Sequence, residues 1–139
     1  MNEDFHTLRW YECTLELTPA MEDYLEMLMR LNKGSGTRLG ELASALNVGI
    51  SAASRMAARL RSAGLASYEP YGLITLTERG KARGKALIER HEILNSFFSL
   101  INGSTGELEL VEKIEHFFDD GTVKNLSELL KKLQDSEHH

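Results

Sequence analysis

The sequence predicts a mainly α-helical chain, an N-terminal winged helix-turn-helix followed by a set of C-terminal helices. Three observations carry that prediction. Apolar residues recur at helical spacing, beginning with Met21, Tyr24, Leu25, Leu28 and Leu31. Two short helical patterns are joined by the turn Asn47-Val48-Gly49, and the second bears Arg55, Arg59 and Arg61. A strand-turn-strand pattern over residues 65–77 follows directly, in the position of a wing.

Composition narrows the class. A chain of 139 residues suits one ordinary domain or two very small ones. Apolar residues make up 42% and charged residues 27%, a globular balance that excludes a disordered chain. No stretch approaches the roughly 18 apolar residues of a membrane span. Met1-Asn2-Glu3-Asp4 is acidic and precedes no apolar run with a cleavage site, so no secretory signal is expected. Cys13 is the only cysteine. That excludes an internal disulfide framework and a thiolate-rich zinc site, and it fits a reducing cytoplasm.

The elements follow in order. Residues 1–17 form an arm with weak alternation at its end, and Trp10 and Tyr11 are its large apolar side chains. Thr18-Pro19 opens the first helix, because threonine caps and proline suits the first turn. Gly34-Ser35-Gly36 ends it. Thr37 is expected to cap the second helix, with Leu39, Leu42 and Ala43 inward. Ser51 is expected to cap a third running to about residue 63, with Ala53, Met56, Ala57 and Leu60 inside and Gly64 as the stop. In the hairpin, Glu69-Pro70-Tyr71-Gly72 supplies the turn and Ile74-Thr75-Leu76-Thr77 the β-branched alternation. Thr77 caps a long helix through about residue 100, basic at first and then apolar, which Asn102-Gly103-Ser104 breaks. Two further helices are expected over 107–118 and 125–134, separated by Asp119-Asp120-Gly121. The organisation expected is an arm (1–17), a winged-helix domain (18–77), C-terminal helices (78–135) and a short tail (136–139).

Charge is distributed unevenly. The net charge is −5, yet residues 37–90 carry nine basic and four acidic side chains, a local balance of +5. The remainder stands at −10. A basic middle between acidic flanks suits a polyanion such as duplex DNA. The start of a recognition helix reaches base edges, so Ser51, Ala52, Ser54 and Arg55 are candidate base readers. Arg38, Arg59 and Lys81 suit phosphates, and Tyr71 at the wing tip suits a groove wall. Winged helices also mediate protein contacts, which is the competing reading.

Three groups of acids and histidines stand outside this segment or at its edge. Asp23 and Glu26 lie on the first helix, nearly opposite its apolar stripe. His91 sits on the long helix. Glu112, Glu115 and His116 fall at i, i+3 and i+4 and are expected to share one helical face, beside the apolar stripe of Leu110, Val111, Ile114, Phe117 and Phe118. Taken singly, each has an ordinary explanation as a solvated or packing residue, and spacing alone does not bring the groups together.

Four strings carry a resemblance: Thr18-Pro19-Ala20-Met21-Glu22-Asp23-Tyr24-Leu25-Glu26, Leu76-Thr77-Glu78-Arg79-Gly80, Arg90-His91-Glu92 and Val111-Glu112-Lys113-Ile114-Glu115-His116. From about Thr18 to Gln134 the chain resembles the diphtheria-toxin-repressor family of metal-dependent transcription repressors, and within it the manganese-transport regulators. The resemblance implies that Asp23, Glu26, His91, Glu112, Glu115 and His116 hold a pair of metal ions. It also implies a homodimer built from the C-terminal helices, a DNA-binding half and a role as repressor of metal-uptake genes. The SH3-like domain of the longer family members is not expected, as in the manganese regulators. Asn95 stands where those members place an ancillary-site glutamate, so that site is expected to be absent. The wing is one residue shorter than in the manganese regulators, with no arginine between Tyr71 and Gly72.

Four carboxylates and two imidazoles without sulfur suit Mn²⁺ or Fe²⁺, with Co²⁺, Cd²⁺ and Zn²⁺ as substitutes. Glu26 and Glu115 are the candidate bridges. Without metal the carboxylates repel one another. Two divalent ions offset that charge, tie the helices together and set the DNA-binding heads about 34 Å apart, one helical turn of duplex. An iron-responsive regulator and a winged-helix regulator that senses no metal are the alternatives. A metalloenzyme is disfavoured, because no Gly-rich loop, nucleophile motif or substrate-binding constellation accompanies the ligands.

Overall fold

The computed structural model of the chain describes residues 17–32, 34–69 and 72–137. The expectations for residues 1–16, for Tyr71 and for the last two histidines lie outside the described residues. Two compact units divide the chain, Met1–Lys85 and Ala86–His139.

The first unit starts with helix α1 (Pro19–Leu31), whose cap is the one expected: Thr18 Oγ1 accepts a 3.1 Å hydrogen bond from the Met21 backbone N–H. Its apolar stripe buries Met21, Tyr24, Leu25 and Leu28. Strand β1 (Thr37–Arg38), helices α2 (Leu39–Leu46) and α3 (Ile50–Ser62), and strands β2 (Ala66–Tyr68) and β3 (Leu73–Leu76) follow. The sheet order is β1-β3-β2, all antiparallel, with Thr37 opposite Ile74 and Ala66 opposite Leu76. Leu25, Leu28, Leu42, Leu60 and Ile74 form the fully buried core.

Two expected caps are corrected. Thr37 does not cap α2. Its β-branched side chain is buried in β1, and Arg38 takes the N-cap position, its N–H donating to Glu41 Oε1. Ser51 does not cap α3. Gly49 does, and Ser51 lies inside the first turn. The turn between α2 and α3 is tight because Asn47 adopts the left-handed conformation, φ 55°.

Helix α4 (Glu78–Asn102) begins in the first unit. Thr77 Oγ1 accepts from the Gly80 N–H at 3.0 Å and donates to the Gly64 carbonyl at 2.8 Å. Gly80 is a steric requirement: a Cβ there would overlap the backbone carbonyl of Leu65. A buried contact follows at Gly84, where a Cβ would come within 3.0 Å of Met29 Cβ.

The second unit holds the rest of α4, helix α5 (Leu108–Ile114), a 3₁₀ turn (Glu115–Phe117) and helix α6 (Asp120–Glu137). Leu87, Leu94, Val111, Val123 and Leu130 are its core. Phe98 meets Phe97 and Phe118 edge-on, with centroids 5.2 and 6.5 Å apart. Asn95 Oδ1 accepts from the Glu107 N–H at 2.7 Å, fixing the loop before α5.

The sequence expectations here need three corrections. The helix expected over 107–118 ends at Ile114 and passes directly into the 3₁₀ turn, where Glu115 is buried while Glu112 on α5 is exposed. Phe117 leaves the apolar stripe and is 85% exposed. Helix α6 starts at Asp120 rather than 125 and continues through Glu137, because Asp119 caps it: Asp119 Oδ1 accepts from the Thr122 N–H at 2.6 Å.

Candidate metal centre and DNA interface

The metal-ligating residues expected in the second unit come from α4 and the 3₁₀ turn. His91 Nδ1 lies 3.4 Å from Glu115 Oε2, and both side chains are largely buried, at 15% and 5% exposure. An Nδ1–H there donates to Glu115, and Nδ1 serves as a ligand beside Oε2 only in the tautomer that carries the proton on Nε2. Two donors bonded to one cation at about 2.0–2.2 Å stand about 2.8–3.6 Å apart for angles near 90–110°. The pair therefore fits a metal, and its imidazole and carboxylate are the donor types such an ion takes.

Arg90 was not among the expected site residues. Its buried guanidinium lies 4.0 Å from Glu115 Oε1 and 3.4 Å from His116 Nδ1. Arginine only donates, so His116 Nδ1 accepts from Arg90 in this arrangement. The signal was present in the string Arg90-His91-Glu92, but an arginine reads as a phosphate contact until its burial is known. Glu112 is exposed on the last turn of α5.

In the first unit, Asp23 is exposed on α1. Glu26 is half-buried rather than lying on a solvated face, and Arg30 donates to it at 3.0 Å. The adjacent Glu22, given no role by sequence, is buried and pairs with Arg83 at 3.3 Å. Asp119, outside the candidate ligands, has its carboxyl held below the ordinary carboxylate range by hydrogen bonds from the Thr122 backbone and hydroxyl.

The DNA-facing candidates sort by what they touch. Arg38, Ser51, Arg55 and Arg59 are exposed, and the last three follow one face of α3 at i, i+4 and i+8. Ala52 is half-buried. Ser54 is half-buried and its hydroxyl meets Tyr68 Oη at 3.0 Å. Lys81 Nζ lies 3.4 Å from Glu78. Three other basic side chains serve the fold: Arg61 donates to the Tyr68 carbonyl at 2.9 Å, Arg79 to the Ala63 carbonyl at 3.1 Å, and Arg83 to Glu22. The local excess of +5 thus overstates the charge offered to a polyanion.

Comparison with known proteins agrees with this division. Residues 16–74 match the iron dependent repressor N-terminal DNA binding domain, and residues 77–139 match the iron dependent repressor metal binding and dimerisation domain. The chain belongs to the iron dependent repressor family. It is a regulator of transcription and not an enzyme. The HTH-type transcriptional regulator MntR of Lysinibacillus sphaericus (strain C3-41) is 34% identical over 122 residues, covering 86% of this chain and 87% of that protein. Among solved structures, ScaR with bound Zn²⁺ is similar with a TM-score of 0.67 and 28% identity over 80% of this chain and 53% of that one. The manganese regulator SloR is similar with a TM-score of 0.65 and 26% identity, over 83% of this chain and 55% of that one. The chain thus spans about half the length of these two solved relatives. As an iron dependent repressor-family protein it carries a dimerisation domain, and the exposed Leu100, Ile101, Leu108, Phe117, Leu129 and Leu133 all lie in that part. No helix among the described residues is long and apolar enough to cross a membrane.

Proposed function

We propose that this chain is a cytoplasmic, manganese-responsive transcriptional repressor of metal-uptake genes that binds operator DNA as a homodimer. The observation that carries the reading is the buried His91–Glu115 pair inside a metal-binding domain, in a chain similar to the transcriptional regulator MntR and to the manganese regulator SloR. Asp23, Glu26, His91, Glu112, Glu115 and His116 are the proposed ligands, for two ions per subunit. A bound divalent cation supplies positive charge among carboxylates that otherwise repel one another.

The chain's own residues do the rest. Glu115 presents Oε2 toward His91, while the Arg90 guanidinium stands on its Oε1 side. His116 offers Nε2 as a ligand only in the tautomer that carries its proton on Nδ1, and that tautomer gives up the hydrogen bond from Arg90. Arg38, Arg55 and Arg59 meet phosphates or bases, and Ser51 and Ser54 meet base edges. Ala52, Tyr71 and Lys81 complete the proposed DNA contacts. Metal need favour the DNA-competent state by only roughly 1–3 kcal/mol to act as a switch, and DNA then tightens metal binding equally.

Titrating Mn²⁺, Fe²⁺, Co²⁺ and Zn²⁺ while following thermal unfolding tests the reading. A specific site raises stability by about 2.7 kcal/mol at one hundred times its dissociation constant. A midpoint indifferent to millimolar Mn²⁺ contradicts it, and a response to Fe²⁺ alone favours an iron-responsive regulator.

A further inference from the structure

Among the described residues, the first unit exposes two large apolar side chains, Ile50 at 54% and Leu73 at 43%. Both line one groove of about 1020 Å³, together with Arg38, Ser54, Arg55 and Tyr68. Ile50 is the first residue of α3, directly after its Gly49 cap. It therefore projects from the end of the helix that a helix-turn-helix inserts into the major groove.

The surroundings indicate what covers it. Arg38 and Arg55 line the same groove, so a polyanion is favoured there. Phosphates offer nothing to a branched hydrocarbon. Base edges in the major groove offer one apolar group, the 5-methyl of thymine. Ser54 lies one helical turn further on, at i+4, and Tyr68 Oη holds its hydroxyl at 3.0 Å. An apolar reader and an oriented polar reader thus stand side by side on the same wall.

We propose that Ile50 is a specificity-determining residue that reads the 5-methyl group of a thymine in the operator. This rests on the DNA-binding reading above and extends it to a residue that reading did not include.

The test uses the full chain and duplexes selected from a random pool, once with Mn²⁺ and once with chelator. Each thymine of the enriched duplex is replaced singly by deoxyuridine, and binding is measured for the parent and for Ile50→Ala. At one position the parent loses about 3- to 10-fold, the scale of one buried methyl group. Ile50→Ala starts from that weakened value and loses nothing further there, while it binds an unrelated duplex as the parent does. A parent indifferent to uracil at every position overturns the proposal. So do additive losses, which place Ile50 against something other than the methyl group. A sequence enriched equally in chelator overturns the metal response alone, and the same cycle on that sequence still decides Ile50. Enrichment of no sequence in either arm overturns both.

Discussion

His91 and Glu115, 24 residues apart in the chain, bring Nδ1 and Oε2 to 3.4 Å in the interior of the C-terminal unit. A carboxylate on so deeply buried a side chain is costly unless cations or donors surround it. Arg90 and His91 supply part of that compensation. Glu115→Gln keeps the shape and removes the charge. The expected outcome is a folded protein whose thermal midpoint no longer rises with Mn²⁺ and whose DNA binding no longer responds to it. An undiminished Mn²⁺ response removes Glu115 from the ligand set.

Arg59 is exposed on α3, on the face that carries Ser51 and Arg55. Such a side chain suits a phosphate. Arg59→Ala is expected to weaken binding to all duplexes alike and to reduce the salt dependence by about one charge. Binding isotherms at several salt concentrations check this; an unchanged slope takes Arg59 off the phosphate list.

Gly80 lies where α4 crosses the Leu65 carbonyl, with no room for a side chain. Gly80→Ala forces the helix away from the hairpin and is expected to destabilise by about 1–3 kcal/mol, despite alanine's better helix propensity. Urea unfolding reads this as a lower midpoint at an unchanged slope. A midpoint at or above the parent's contradicts the packing argument.

Asp119 caps α6, and its Thr122 hydrogen bonds favour the ionised carboxylate. Because the folded form holds this pKa below its unfolded value, the stabilisation is fully present above the unfolded value. It is lost as pH falls through the folded one. Asp119→Ala is expected to lower the thermal midpoint at neutral pH, with the gap to the parent closing in strong acid. A gap independent of pH contradicts the ionised cap.

Local chemistry was legible and pairing over distance was not. Thr18-Pro19 and Thr77 announce their helices because a cap acts within three residues. Thr37 has the same cap-like residue type, but its strand partner Ile74 lies 37 residues on, so its place in a sheet was invisible. Asp119-Asp120-Gly121 reads equally as a turn and as a cap, which displaced the start of α6. The Glu-x-x-Glu-His spacing reads as continuous helix, and nothing in it marks the 3₁₀ turn at Glu115. The meeting of His91 with Glu115 was reached only through family resemblance. The burial of Arg90 and Glu22 needed the fold itself.

The most direct measurement is operator affinity of the full chain with saturating Mn²⁺ and with chelator, on the same selected duplex. Binding at least 5-fold and up to about 150-fold tighter with Mn²⁺ is expected, the span of roughly 1–3 kcal/mol of coupling. Equal affinity in the two conditions contradicts it.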